Sequence, residues 1–275
     1  MGLFGKLFEK KECAICGGEI GLLGNRKLDD GNLCKDCAAK LSPFFSDRRH
    51  STVEQIREQL EYREANKQAV ASFHTTRTLG TGTKIHIDED NRKFMVTSAR
   101  NIAEANPDVL DYADVTNCRL DVQENRYEIY QKDKEGKDVS YDPPRYEYQY
   151  DFYIIINVSH PYFDEIRFRL NSSTVEITPP VAAPAAGGKG LAGILNAAAG
   201  ALNSADPKQL SVDYREYQKM GNEIVEILTG VRQQVRDEID EAAAPKAAVI
   251  CPYCKASTVP NEKGCCEYCG SPLNG

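Results

Sequence analysis

Nine of ten cysteines gathered at the two chain ends, a hundred-residue middle of short β-rich runs, and one long amphipathic helical pattern beyond it predict an α+β protein of several domains. The expected order is a cysteine module over residues 1–50, a connecting helix over 51–73 and an antiparallel seven-stranded barrel over 74–178. An Ala/Gly/Pro-rich flexible insert over 179–207, a long helix completing the barrel over 208–244 and a second cysteine module over 245–275 follow. With 27% charged and 41% hydrophobic residues and a mean hydropathy of -0.50, the chain is neither fibrous nor wholly disordered. A net charge of -7 and a pI near 5.3 disfavour a global electrostatic grip on polyanions.

The first module carries Cys13-Ala-Ile-Cys16 and, seventeen residues on, Cys34-Lys-Asp-Cys37. Two tight knuckles at this spacing present four thiolates to one tetrahedral zinc. Gly17 and Gly18 permit the positive-φ turn that aims backbone amides at the sulfurs, and Asp30-Gly31 signals a hairpin before the second pair. Knuckle, hairpin, then a knuckle opening a short helix at Ala38–Leu41 is the treble-clef order. So small a domain lacks the apolar core to fold unaided, so the metal supplies much of its folding energy. The last module repeats the chemistry as a zinc ribbon, with Cys251-Pro-Tyr-Cys254 and then Cys266-Glu-Tyr-Cys269. Cys265 adjoins Cys266, but only Cys266 keeps two residues between itself and Cys269. The expected metal ligands are therefore Cys13, Cys16, Cys34 and Cys37 for one Zn2+ and Cys251, Cys254, Cys266 and Cys269 for a second, both structural.

Met1 to Lys11 reads MGLFGKLFEKK, too broken by charge for a secretory signal, so the chain is expected in the cytoplasm, where paired CxxC motifs bind metal or do redox chemistry far more often than they form structural disulfides. Leu3, Phe4, Leu7 and Phe8 make a short apolar face that fits a membrane surface or packing on a partner.

Ser51-Thr-Val-Glu54 has the form of a capping box, and Val53, Ile56, Leu60, Val70 and Phe73 share one face of the helix it opens, with Glu, Arg, Lys and Gln on the solvated side. Seven β-rich runs follow: TKIHID, RKFMVTS, ADVTNCRLDVQ, NRYEIYQKD, YEYQYDFYIIINVS, EIRFRLN and TVEIT. Polar turns at 88–91, 134–137 and 171–173 favour an antiparallel meander. Cys118 falls within a run and is expected as a small buried hydrophobe. Residues 179–207 are rich in Ala, Gly and Pro, with one weak helical pattern at 191–202 that is too poor in strongly apolar residues to span a membrane. Tyr217, Ile224, Leu228, Val231, Val235 and Ile239 then recur at helical spacing, which Gly221 and Gly230 weaken. Seven strands and a closing helix follow the order of a pleckstrin-homology-like barrel.

The stretches CAICGGEIGLLGNRKLDDGNLCKDCAAKLSP (13–43) and CPYCKASTVPNEKGCCEYCGSPL (251–273) resemble a bacterial family whose N-terminal four-cysteine region is a domain of unknown function. The middle is more weakly similar to bacterial pleckstrin-homology-like domains. The resemblance implies a cytoplasmic, zinc-dependent, non-catalytic architecture and no particular activity.

HExxH, GxSxG, a P-loop and a dinucleotide fingerprint are all absent from the sequence, and Gly80-Thr-Gly82-Thr-Lys84 lacks Walker spacing. His50, His74, His86 and His160 are scattered, and no catalytic residue is expected. Residues 1–50 carry +2 and 245–275 carry +1, leaving -10 in the middle. Any nucleic-acid contact thus belongs to the zinc modules, with Arg26, Lys27, Lys35, Lys40, Arg48 and Arg49 as candidates. Tyr146, Tyr148, Tyr150 and Phe152 alternate along one strand face, suited to core packing or to a peptide at the sheet edge. The leading expectation is a cytoplasmic zinc-binding interaction protein, with nucleic-acid binding and peripheral membrane association as alternatives.

Overall fold

The computed structural model describes residues 11–21, 23–179, 206–243, 249–261 and 264–273, with side chains at 207, 210 and 231–243 undescribed. Leu3, Phe4, Leu7 and Phe8, and the weak helical pattern at 191–202, lie outside these residues. Among the described residues no helix is long and apolar enough to cross a membrane. The chain divides into two compact units, residues 1–231 and 232–275.

The first unit opens with two small hairpins, β1 (Lys11–Glu12) with β2 (Glu19–Ile20) and β3 (Arg26–Lys27) with β4 (Asn32–Leu33). Helix α1 (Lys35–Ala38) follows, then a 3-10 turn at Asp47–His50 and α2 (Val53–Ser72). Ile20, Leu28, Leu33, Leu41 and Ile56 form a small core with Cys13 and Cys37. The capping box of α2 is shifted one residue from the expected position: Thr52 is the N-cap, its hydroxyl accepting from the Gln55 amide at 3.3 Å while Gln55 Oε1 accepts from the Thr52 amide at 2.9 Å.

The face α2 buries differs from the apolar one expected. Ile56 is buried, but so are Gln59, Arg63 and Asn66. Polar side chains are tolerated there because each finds a partner from a distant segment. Arg63 ion-pairs with Asp108 at 2.7 Å and donates to the carbonyls of Lys40 and Asn106. Ser42 Oγ donates to the other Asp108 oxygen at 2.7 Å. Asn66 donates to Asn106 Oδ1 and the Pro107 carbonyl at 2.8 Å and accepts from the Val109 amide.

Two four-stranded antiparallel sheets come next. The first runs in sequence order: β5 (Arg77–Leu79), β6 (Lys84–Asp88), β7 (Lys93–Thr97) and, after the short helix α3 (Ile102–Ala105), β8 (Val109–Asp111). The second contains β9 (Val115–Lys132), β10 (Asp138–Val158), β11 (Glu165–Arg169) and β12 (Val175–Ile177). The runs ADVTNCRLDVQ and NRYEIYQKD, expected as two strands, are one: β9 passes unbroken through the polar Glu124-Asn125, held in register by β10 from Asn117 to Ile129. The short β5 and β8 were not expected.

Nor do β11 and β12 pair with each other as a meander requires. Both lie antiparallel on the same edge of β10, β11 opposite residues 153–157 and β12 opposite 148–150. Between them the buried Asn171 takes over the ladder, accepting from the Phe152 amide at 2.9 Å and donating to the Ser173 carbonyl at 2.8 Å.

Helices α4 (Pro207–Leu210) and α5 (Val212–Ala243) complete the order. Ile85, Phe94 and Leu110 from one sheet, Phe152, Ile154 and Ile166 from the other, and Tyr214, Ile224 and Leu228 from α5 share one core. The Tyr214 ring stands edge-on to Tyr150 and Phe152. Gly221 makes the approach of α5 possible, since a Cβ there would meet Leu120 Cδ1 at 2.6 Å. The second unit holds one further hairpin, β13 (Val249–Ile250) with β14 (Ser257–Thr258).

Candidate metal centres

Each cysteine pair is positioned by backbone geometry that its sequence permits. In the first knuckle Gly17 adopts φ 68° and its amide returns to the Cys13 carbonyl at 2.8 Å, while the Cys13 amide donates to Gly18 O at 2.9 Å. The same pair of bonds recurs at Cys251, closed by Lys255 at φ 64°, and at Cys266, closed by Gly270 at φ 73°. The fourth knuckle turns instead into α1: Cys34 is the N-cap, and its sulfur accepts from the Cys37 amide at 3.3 Å.

These turns gather Cys13, Cys16, Cys34 and Cys37 into one cluster and Cys251, Cys254, Cys266 and Cys269 into another, with all sulfurs of each set within 4.8 Å of one another. The eight cysteines singled out from spacing are the eight brought together, and Cys266 rather than Cys265 joins the second set. The Cys16–Cys34 sulfurs stand 3.8 Å apart, Cys251–Cys269 3.6 Å and Cys254–Cys266 3.7 Å. A disulfide needs about 2.05 Å. A zinc ion with bonds of about 2.3 Å to four tetrahedral sulfurs gives edges of about 3.8 Å, so the donor set and its dimensions fit Zn2+.

The thiols divide within each cluster. Burial raises Cys13, but the amides of Cys16, Cys34 and Ile15 outweigh it and bring the thiol down to about 6, whereas burial and the neighbouring sulfurs push Cys37 up. In the second cluster, bonds from the Ser271 side chain and amide bring Cys269 down to about 6. The Ala256 amide favours the Cys254 thiolate, yet burial and the three adjoining sulfurs push that thiol up to about 12. Four sulfurs at this distance cannot all ionise unaided; a divalent cation among them supplies the missing charge.

A third group, His74, Asp88 and Asp90, also lies within 4.8 Å. Asp88 is fully engaged as a turn-former, accepting from Asn91 at 3.0 and 2.8 Å and from the His74 amide at 3.0 Å. Cys118 is buried in the sheet core, where desolvation pushes its thiol up to about 12.

Of the candidate cations, Arg26, Arg48 and Arg49 come together: burial and the charges of the other two lower the Arg48 guanidinium, whose Nη1 donates to the Lys27 carbonyl at 2.7 Å. Lys35 sits on α1, and Lys40 lines a hollow of about 440 Å³ with Arg63, Glu64 and Lys67. The tyrosine row is divided between two settings. Tyr150 and Phe152 are core residues, while Tyr146 lies farther along β10 with the Arg126 guanidinium 4.4 Å from its ring centre. Beside the first cluster, the buried Arg63–Asp108 pair had no sequence signal, because its members are 45 residues apart and neither belongs to a spaced motif.

Residues 11–59 match a domain of unknown function (DUF4428), a span that takes in the first four-cysteine cluster and the opening of α2. No curated protein matches the chain, and no solved structure does.

Proposed function

We propose that this chain is a non-catalytic, zinc-binding interaction protein of the bacterial cytoplasm in which both zinc ions are structural. The observation that carries the proposal is the pair of four-sulfur clusters with tetrahedral spacing. Four thiolates fill the coordination sphere of zinc and leave no position for a water or substrate, which is the arrangement of structural sites. Residues 13–37 supply the knuckle, hairpin and helix-opening knuckle of a treble-clef-like module, and 251–269 the facing knuckles of a ribbon. The eight-strand middle, with α5 packed into the core of both sheets, supports a pleckstrin-homology-like domain between them. In this reading the metals hold small modules in shape so that their surfaces, or the sheet edges, can recognise another protein.

The deciding experiment is native mass spectrometry with elemental analysis of the reduced full-length protein. Two zinc ions per chain are expected, with Cys34→Ser and Cys266→Ser each losing one. Metal-free protein with its CxxC pairs oxidised would overturn the assignment.

A further inference from the structure

Strands β9 and β10 outrun the sheet that contains them. The last ladder pair of β12 is Ile177 with Tyr148, and beyond it residues 138–140 and 145–147 of β10 pair, among the described residues, with β9 alone. The extension is a two-stranded ribbon, and such a ribbon is marginally stable in water without a third strand or a cover. Tyr127, Tyr130 and Val139 are exposed on it.

Its two edges are unequal. The β10 edge is interrupted between Ser140 and Arg145, where four residues including Pro143 and Pro144 intrude, and proline and irregularity both block strand addition. The β9 edge has no proline or glycine from Val115 to Lys132, keeps unbroken register from Asn117 to Ile129, and among the described residues pairs with nothing but β10. Its charges alternate along one face, Glu124, Arg126 and Glu128, and the stacking of Arg126 on Tyr146 holds the guanidinium on that face.

We propose that the β9 edge is a homodimer interface, in which a second copy of this chain adds its own β9 antiparallel about a two-fold axis at Tyr127. An isologous contact must be complementary to itself. In this register Arg126 faces Glu128 of the second copy and Glu128 faces its Arg126, with the two Tyr127 rings side by side. A shift of one residue instead sets Arg126 against itself and Glu124 against Glu128. The product is a four-stranded ribbon, β10–β9–β9–β10, in which residues 122–132 of each β9 gain a strand partner. The proposal deepens the interaction reading by naming the partner, and it fails separately from the zinc assignment, which metal analysis of the same samples decides.

The test is sedimentation velocity on the full-length, reduced protein across a concentration series. The wild type is expected to dimerise reversibly. Arg126→Glu or Glu128→Arg alone places like charges opposite each other twice and weakens the dimer roughly tenfold or more, while the double exchange Arg126→Glu with Glu128→Arg restores it. Circular dichroism spectra of the single variants that match the wild type show that they fold. A wild type that stays monomeric, a dimer indifferent to Arg126→Glu, or a double variant that fails to re-associate overturns the proposal.

Discussion

Arg63 and Asp108 form the most consequential pair of single residues in the first unit. Their side chains are 7% and 0% exposed, and each is held by additional partners, Arg63 by two carbonyls and Asp108 by Ser42. A buried pair contributes little relative to an apolar replacement of both members, but removing one member strands the other's charge. Asp108→Ala should therefore cost about 3–5 kcal/mol, while the joint change Arg63→Met with Asp108→Leu should cost clearly less. Urea unfolding followed by circular dichroism measures both; equal losses from the single and the joint change would count against this account. The chain has no tryptophan to report by fluorescence.

At the scale of elements, the two glycines of α5 look alike in the sequence and behave differently in the fold. A Cβ at Gly230 would meet nothing within 4 Å, whereas one at Gly221 would press on Leu120 Cδ1, Cδ2 and Cγ at 2.6, 2.9 and 3.2 Å. Gly230→Ala should raise stability by about 1 kcal/mol through helix propensity alone. Gly221→Ala should lower it by about 1–2 kcal/mol, because overpacking against β9 exceeds the same gain. Thermal melts of the two variants should move in opposite directions. The helix itself was legible because Ile224 and Leu228 keep its period, and so were the knuckles, whose cysteine spacing is local information. Strand β9 was not legible as one element: from Gln123 to Tyr127 its side chains are exposed on both faces, so the apolar alternation lapses and Gln-Glu-Asn-Arg at 123–126 looks like a turn. Gln59 and Arg63 are of the residue types expected on the solvated side, because a helix pattern marks apolar faces and carries no sign of hydrogen-bond partners arriving from residues 40–42 and 106–108.

At the scale of the whole molecule, the first cysteine cluster and the sheets meet through this same polar network. Lys40 and Ser42, three and five residues beyond Cys37, supply a carbonyl to Arg63 and a hydroxyl to Asp108. Tyr62, Phe44, His160, Tyr162 and Phe163 add an aromatic contact across the same junction, with His160 stacked on Phe163 at 4.1 Å. On the zinc reading proposed above, withdrawing metal from the first cluster with a chelator should accordingly raise amide exchange at residues 106–110 before the central β9–β10 ladder opens. Hydrogen exchange with mass spectrometry resolves the two regions, and unchanged protection at 106–110 after metal loss would separate the cluster from the sheets. None of this coupling was legible in the sequence, where the modules are marked off by composition and their junction by no motif.

The buried ion pair also imposes an order on synthesis. Asp108 leaves the ribosome 45 residues after Arg63, a delay of roughly 2 to 9 s at 5–20 residues per second. Throughout that interval the nascent chain already holds all four thiols of its first cluster, while the arginine that will anchor the module stands in water without its carboxylate. The four-cysteine end is thus complete early, but its arginine can meet the carboxylate only once the loop after α3 has emerged, so a pause in translation between the two positions would prolong the one stage at which the module has nothing to sit on.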